Sequence, residues 1–364
     1  MTFIIKPTHR CNFRCKYCYV EDILKNNDKD IEISDAKILI DKIVDYSILN
    51  CIKTICLLWH GGEPLLWGFN NFETILNYCS EKAKWVKFSH SIQTNLSLID
   101  EAFISLFKFY KVRVGFSLDG PAWINDSIRV TTRSRGTSNI IEKKISLCKK
   151  HDLNIGAIAV ATRFSISKIH EIYNYFNCLS VNFKLNPIFK SGEANSIYNI
   201  YGITPYEYAV AMISLFDLWT SDINSTIEIT SLKEIASNIA VGLPRACCFV
   251  ENCQDSFTAI SPNGDLYPCG RFCNNEEFCF GNIFSDNLNV MILRKKIIFR
   301  KYRYEKLMNN DCNKCKYFTI CNGGCLHDAY SGNNDILGKT NLCEAYKNIF
   351  NHIELFLKNG LFLN

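Results

Sequence analysis

The sequence predicts an α/β protein: a partial (β/α)6 TIM-like barrel followed by a cysteine-rich C-terminal domain. Three observations predict it. Six short β-branched or aromatic segments recur between residues 2 and 188, and amphipathic stretches with helical spacing lie between them. The last third is crowded with cysteine, of which the 364-residue chain has 19.

The strand segments are TFIIKP (2–7), TICLLWH (54–60), HSIQTN (90–95), VRVGFSLD (112–119), NIGAIAVAT (154–162) and VNFKLNPI (181–188). The first helix, SDAKILIDKIVDYSI, is expected to start from Ser34 or Asp35 as N-cap. FETILNYCSEKAKW, EAFISLFKFY, SNIIEKKISLCKKH and SKIHEIYNYF supply the others. Strands separated by helices pair in parallel, and loops after such strands gather at one face and carry the site. Beyond residue 200 the pattern changes. TPYEYAVAMISLFDLWTSD and SLKEIASNIAVGL read as bridging helices, and cysteines crowd the chain from Cys247. The expected division is a barrel at 1–200, bridging helices at 201–246 and a cysteine-rich domain at 247–364.

Composition narrows the function. Apolar residues make up 48%, enough for a sizeable core, and no apolar run is long enough to span a bilayer. The N-terminus lacks a signal-peptide plan, so a cytoplasmic location is expected, where thiols serve as metal ligands more readily than as disulfides. The net charge of +5 comes without a basic stripe, which gives a nucleic-acid partner little support.

The chemistry starts at Cys11, Cys15 and Cys18, a C-x3-C-x2-C loop directly after the first strand. A structural zinc site takes four ligands, usually as two C-x2-C-like pairs. Three thiolates suit a 4Fe–4S cluster with one iron left open to a small molecule; the bland alternative is three incidental thiols. In the last third, Cys253, Gly264 and Cys269 form one piece, and Cys312-x2-Cys315-x5-Cys321-x3-Cys325 with Cys343 another. SFTAISPNGDLYPC reads as a hairpin turning at Asn263-Gly264 and bringing Cys269 back toward Cys253. Zinc ribbons are the alternative here.

The cysteine loop, with Tyr17 before its last cysteine, resembles the radical S-adenosylmethionine (SAM) enzymes. In that family the open iron chelates SAM, and a 5′-deoxyadenosyl radical abstracts hydrogen from substrate. The resemblance implies that Gly61, Gly62, Glu63 and Pro64 contact the methionyl amine, that Ser117 and Arg129 contact SAM, and that Tyr17 lies against the adenine. Thr94, Asn95 and Asp119, at the ends of the third and fourth strands, join this cofactor-binding set. His60 either touches the cofactor or is a hydrogen-bonded structural residue.

The C-terminal third resembles the SPASM extension of peptide-modifying radical enzymes, which implies two auxiliary 4Fe–4S clusters. Cys247, Cys253, Cys269 and Cys325 would hold the first, with Cys248 competing for the place of Cys247. Cys312, Cys315, Cys321 and Cys343 would hold the second. Eleven thiolates and three oxidised cubanes together carry about −5, which offsets the apparent basicity. Cys51, Cys56, Cys79, Cys148 and Cys178 are expected to be buried core residues.

Two activities fit. Sulfatase maturases carry a general-base aspartate directly after the cysteine of YPC, where this chain has Gly270 and Arg271, with Asp328 and Glu276 as substitutes that the sequence does not place. The expectation is therefore a maturase that crosslinks side chains of a ribosomally made precursor peptide, as a cyclophane, ether or thioether. Formylglycine formation from cysteine or serine is the alternative, and a non-catalytic iron–sulfur electron carrier is the alternative of another class. A flavodoxin or ferredoxin-type protein is the expected reductant. With ten residues before Cys11, no fused leader-binding domain is expected. No catalytic residue is assigned.

Overall fold

The strands form where expected, as β1 (Thr2–Thr8), β2 (Thr54–Gly61), β3 (Lys87–Thr94), β4 (Arg113–Ser117), β5 (Ile155–Ala161) and β6 (Phe183–Pro187). The computed structural model describes residues 1–20, 29–244, 246–273 and 275–361. The chain divides into two compact units interleaved in sequence.

The first unit comprises Met1–Ser117, Arg129–Ile155 and Gln254–Ile298. In it β1 to β4 pair in parallel, β1 with β2, β2 with β3 and β3 with β4. The predicted hairpin is present as β7 (Phe257–Ile260) and β8 (Leu266–Tyr267), antiparallel to each other, with Gly264 at φ +89° in the turn. β7 also lies parallel to β1, so the hairpin continues the sheet past its first strand. The first helix runs Ile33–Leu49 after Glu32, which makes no side-chain cap bond; the expected capping by Ser34 or Asp35 does not occur, because both lie inside the helix. Trp59 on β2 stacks on Trp67 with ring centres 5.9 Å apart, and Phe72 meets both edge-on at 5.7 and 5.3 Å. Phe107 closes this cluster against Phe72. Burying side chains of this size stabilises by about 1.5–3 kcal/mol each.

The second unit comprises Leu118–Ile128, Gly156–Cys253 and Phe299–Asn364. Here β5 and β6 pair in parallel. The helix expected at 167–176 forms as Ile169–Cys178, and a separate short helical turn, Arg163–Ile166, precedes it. The helix Pro205–Ser221 starts from a capping box in which Thr204 and Glu207 satisfy each other's backbone N–H groups. It packs on the last helix, Cys343–Leu361, through Phe216 and Phe356 at 5.1 Å and through the Asp217–His352 contact. No described helix is long and apolar enough to cross a membrane.

Candidate active site

The cysteine loop leaves β1 at Thr8 and is clamped along its length. Arg10 donates from Nε to Asp30 Oδ1 at 2.9 Å and from Nη2 to the Leu66 carbonyl at 3.0 Å. Asn12 donates to Ser97 Oγ at 2.9 Å and accepts from the Asn95 amide at 2.8 Å. The Arg14 N–H reaches the Val130 carbonyl at 2.7 Å, and the Cys18 N–H closes a turn on the Cys15 carbonyl at 3.0 Å. A Cβ on Gly62 would lie 2.2 Å from the Arg10 carbonyl, and one on Gly61 2.5 Å from that of Thr8. The glycines of GGEP therefore admit the backbone of the cysteine loop rather than only a ligand.

This loop gathers Cys11, Cys15 and Cys18, each half-buried. Burial, then the charge of Cys15, pushes the Cys18 thiol up to about 12. Burial followed by the Glu63 charge raises Cys11 further. Such thiols are protonated without metal and must lose protons to bind iron.

Glu63 is fully buried. Its Oε1 accepts from Thr94 Oγ1 at 2.5 Å and from the Leu65 N–H at 3.1 Å, and its Oε2 from the Asn95 N–H at 2.6 Å. Burial pushes its carboxyl up to about 7 against the pull of these donors. Pro64 begins the 3₁₀ turn Pro64–Trp67 that holds Glu63 at its cap. Arg129 donates from Nη1 to the Tyr17 hydroxyl, and its guanidinium carbon stands 5.7 Å from the centre of that ring. Ser117 accepts from the Gln93 side chain at 3.2 Å. Glu63, Thr94, Asn95, Ser117, Tyr17 and Arg129 thus belong to the unit that holds the cysteine loop. Asp119 belongs to the second unit, where its carboxylate accepts from the Val160 N–H at 2.9 Å.

His60 Nδ1 accepts from the Gly61 N–H at 2.7 Å, which leaves its Nε2–H to donate to the Tyr19 oxygen at 3.2 Å. Burial lowers its pKa to about 4, so it is a neutral, hydrogen-bonded residue. Sequence reasoning missed Lys6, which is 1% exposed on β1 and hydrogen-bonds Cys273. A lysine inside an otherwise apolar strand segment was its only signal. Asp30, the anchor of Arg10, had none.

In the second unit, Cys312, Cys315, Cys321 and Cys343 line one pocket, together with Lys339 and Lys347. The backbone bends there through Gly323 at φ +77° and Gly324 at +74°. Cys253 and Cys325 also belong to this unit, whereas Cys269 follows β8 in the first. Cys247 and Cys248 diverge: Cys247 is exposed, and Cys248 turns inward toward Lys184, Asp328 and Glu234. Burial favours Cys248 as the sulfur that faces into the unit. All described cysteines are free, and among the described residues no three of His, Cys, Asp and Glu converge closely enough to hold a single metal ion. A four-iron cluster spreads its thiolates wider than one tetrahedral ion does.

Of the five cysteines expected in the core, Cys79 and Cys148 are buried and Cys56 is half-buried, but Cys51 and Cys178 are exposed. Cys51 follows the first helix in a left-handed turn at φ +55°, and Cys178 ends its helix, so neither faces a packed layer. Of the substitute bases, Glu276 is exposed on a short turn, and Asp328 is buried in the second unit near Tyr208 and Cys248.

Residues 5–176 match the model of the radical SAM superfamily. The whole chain aligns with a cysteine-type anaerobic sulfatase-maturating enzyme of Clostridium perfringens (strain 13 / Type A), 26% identical, covering 97% of this chain and 96% of the relative. A serine-type anaerobic sulfatase-maturating enzyme of Bacteroides thetaiotaomicron is 24% identical over 97% of this chain and 89% of the relative. Among solved structures, native anSMEcpe with bound AdoMet superposes with a TM-score of 0.82 at 24% identity, covering 98% of both chains. Streptococcus suis SuiB bound to S-adenosylmethionine superposes at 0.64 and 17% identity, covering 94% of this chain and 77% of that one. These superpositions carry the fold.

Proposed function

We propose, from the radical SAM domain that residues 5–176 of this chain constitute, an enzyme that oxidises a side chain of a peptide or protein, converting cysteine or serine to formylglycine. The observation that supports this most is the end-to-end alignment with a cysteine-type sulfatase-maturating enzyme, which takes in both the loop cysteines and those of the last third.

The residues fit three 4Fe–4S clusters. Cys11, Cys15 and Cys18 would hold the one that binds SAM. Cys312, Cys315, Cys321 and Cys343 would hold an auxiliary cluster in their shared cavity. Cys253 and Cys325 of the second unit, with Cys247 or Cys248, would supply thiolates to another. Bound SAM supplies a 5′-deoxyadenosyl radical that removes a substrate hydrogen. The chain's own residues position and shield. Glu63, held by Thr94 and Asn95, offers a carboxylate to the methionyl amine, and Arg129 with Tyr17 flanks the adenosyl side. After hydrogen abstraction the substrate carbon must still lose one electron and one proton. Iron–sulfur clusters in the last third would accept the electron.

The position directly after Cys269 offers no carboxylate for the proton, because Gly270 stands there. That favours a second reading: a precursor-peptide crosslink, in which the radical carbon joins a neighbouring group held in near-attack geometry and two hydrogens leave. A cysteine peptide bearing C-x-P-x-R, incubated anaerobically with enzyme, SAM and reductant, separates the two. Formylglycine made from cysteine has lost two hydrogens, exchanged sulfur for oxygen on hydrolysis with release of sulfide, and reacts with a carbonyl-directed label. Release of 5′-deoxyadenosine without that label overturns the first reading.

A further inference from the structure

Arg303 is a buried charge that the proposed chemistry has not used. It is 4% exposed and begins the helix Arg303–Met308 of the second unit. Its Nη2 donates to the Gly324 carbonyl at 2.7 Å and, more loosely, to that of Gly338 at 3.4 Å. Gly324 directly precedes Cys325. The side chain also lines a small pocket with Asn252 and Asn322, the residues next to Cys253 and Cys321. No carboxylate bonds to it in any described contact, although a buried cation ordinarily requires one. The groups whose charge would act on it, once they are thiolates, are sulfurs: Cys253 and Cys325 of one proposed cluster set, Cys321 and Cys312 of the other.

We propose that Arg303 is a counter-cation shared by the two auxiliary clusters, a positioning residue that raises the reduction potential of both. The inference rests on the auxiliary clusters proposed above and goes beyond them. A cubane with four thiolates is anionic in its oxidised state and gains one further negative charge on reduction. A fixed positive charge in a low-dielectric interior favours the more negative state, so the electron is accepted more readily. Arginine suits the position because its guanidinium keeps its charge when desolvated and its fork can hold backbone carbonyls while it faces sulfur.

The test uses the anaerobically reconstituted full-length enzyme and two variants, Arg303→Gln and Arg303→Lys. Iron content and the dye-mediated redox titration of the clusters, followed by electron paramagnetic resonance, are the readouts. We expect Arg303→Gln to retain its iron and to lower the reduced-to-oxidised ratio of the auxiliary clusters, at the wild-type midpoint, by roughly tenfold, equal to about 59 mV for one electron. Arg303→Lys should stay within about threefold of wild type. Loss of iron in Arg303→Gln but not in Arg303→Lys also supports the counter-cation role, because lysine keeps the positive charge that glutamine lacks. An iron-replete Arg303→Gln with unchanged potentials overturns the proposal. Equal iron loss in both variants overturns it too, because the carbonyl contacts would then be the whole role. Wild-type enzyme with about four irons instead of about twelve overturns the cluster reading itself, a separate result.

Discussion

Arg129 donates to the hydroxyl of Tyr17, and the same guanidinium lies 5.7 Å from the centre of that tyrosine's ring. One residue stands in the cysteine loop, between Cys15 and Cys18. The other lies 112 positions along the chain and reaches it from a buried backbone, whose carbonyl accepts from Thr137 Oγ1 at 3.0 Å. The pair ties Arg129, proposed above to flank SAM, to the loop that carries the thiols.

Arg129→Ala removes both the hydrogen bond and the cation–π contact, which together contribute about 1–3 kcal/mol. We expect SAM binding to weaken by roughly tenfold to a hundredfold, measured by equilibrium dialysis, with iron content unchanged. Unchanged affinity would leave Arg129 a purely structural residue.

Glu63 sets a pH dependence. Its folded carboxyl lies near 7, above its ordinary 4.5, chiefly because it is buried. The folded chain without SAM therefore holds this proton more tightly than the unfolded chain. The group's contribution to stability is complete below about 4.5 and is lost as pH rises through about 7. Binding of a positively charged sulfonium favours the ionised form, so SAM affinity should rise through about pH 7. Glu63→Gln should abolish that step; a step that persists in the variant refutes the assignment.

Cluster assembly should also depend on pH. Burial holds Cys18 and Cys321 at about 12 and Cys312 at about 11. Iron binds the thiolates, so assembly releases protons and should quicken as pH rises, which iron uptake followed by stopped-flow absorbance would measure. Cys343→Ala should lose about four irons and product yield, while 5′-deoxyadenosine release continues. Full product yield without that cluster would remove it from the electron path.

Gly270→Asp tests the missing base. A Cβ at Gly270 would meet Ile4 Cγ2 at 3.4 Å, ordinary van der Waals contact, and the residue has no positive φ. The variant should fold. If proton loss limits formylglycine formation, the added carboxylate should speed it by about tenfold or more, below the usual ceiling for general-base catalysis. A carbonyl-label assay with no gain places the limit elsewhere.

Phe72→Ala should destabilise the first unit by about 3–5 kcal/mol, as judged by denaturant unfolding, because the ring is fully buried between Trp59, Trp67 and Phe107. A cost below about 1 kcal/mol would mean the aromatic cluster collapses into the space.

The sequence by itself determined the α/β class and the place of every barrel strand. It also determined the three thiols after β1 and the turn at Asn263-Gly264. These features are local: a two-residue period, a helical period and a short cysteine spacing are each set within a few residues. The tertiary structure decided what depends on distant partners. Only folding brought Thr94 and the Asn95 N–H to Glu63, so that a carboxylate in an ordinary turn motif became a buried group with three donors. Only folding paired β7 with β1, although the hairpin was legible without it. Cys79 and Cys51 look alike in sequence; one packs in the core and the other sits in an exposed left-handed turn. Arg303 is one basic residue among several in RKYRYEK, and nothing in that run marks it as the one turned inward onto the Gly324 carbonyl. Spacing along the chain sets which groups are available, but burial and charge environment are sums over neighbours that the chain assembles only on folding.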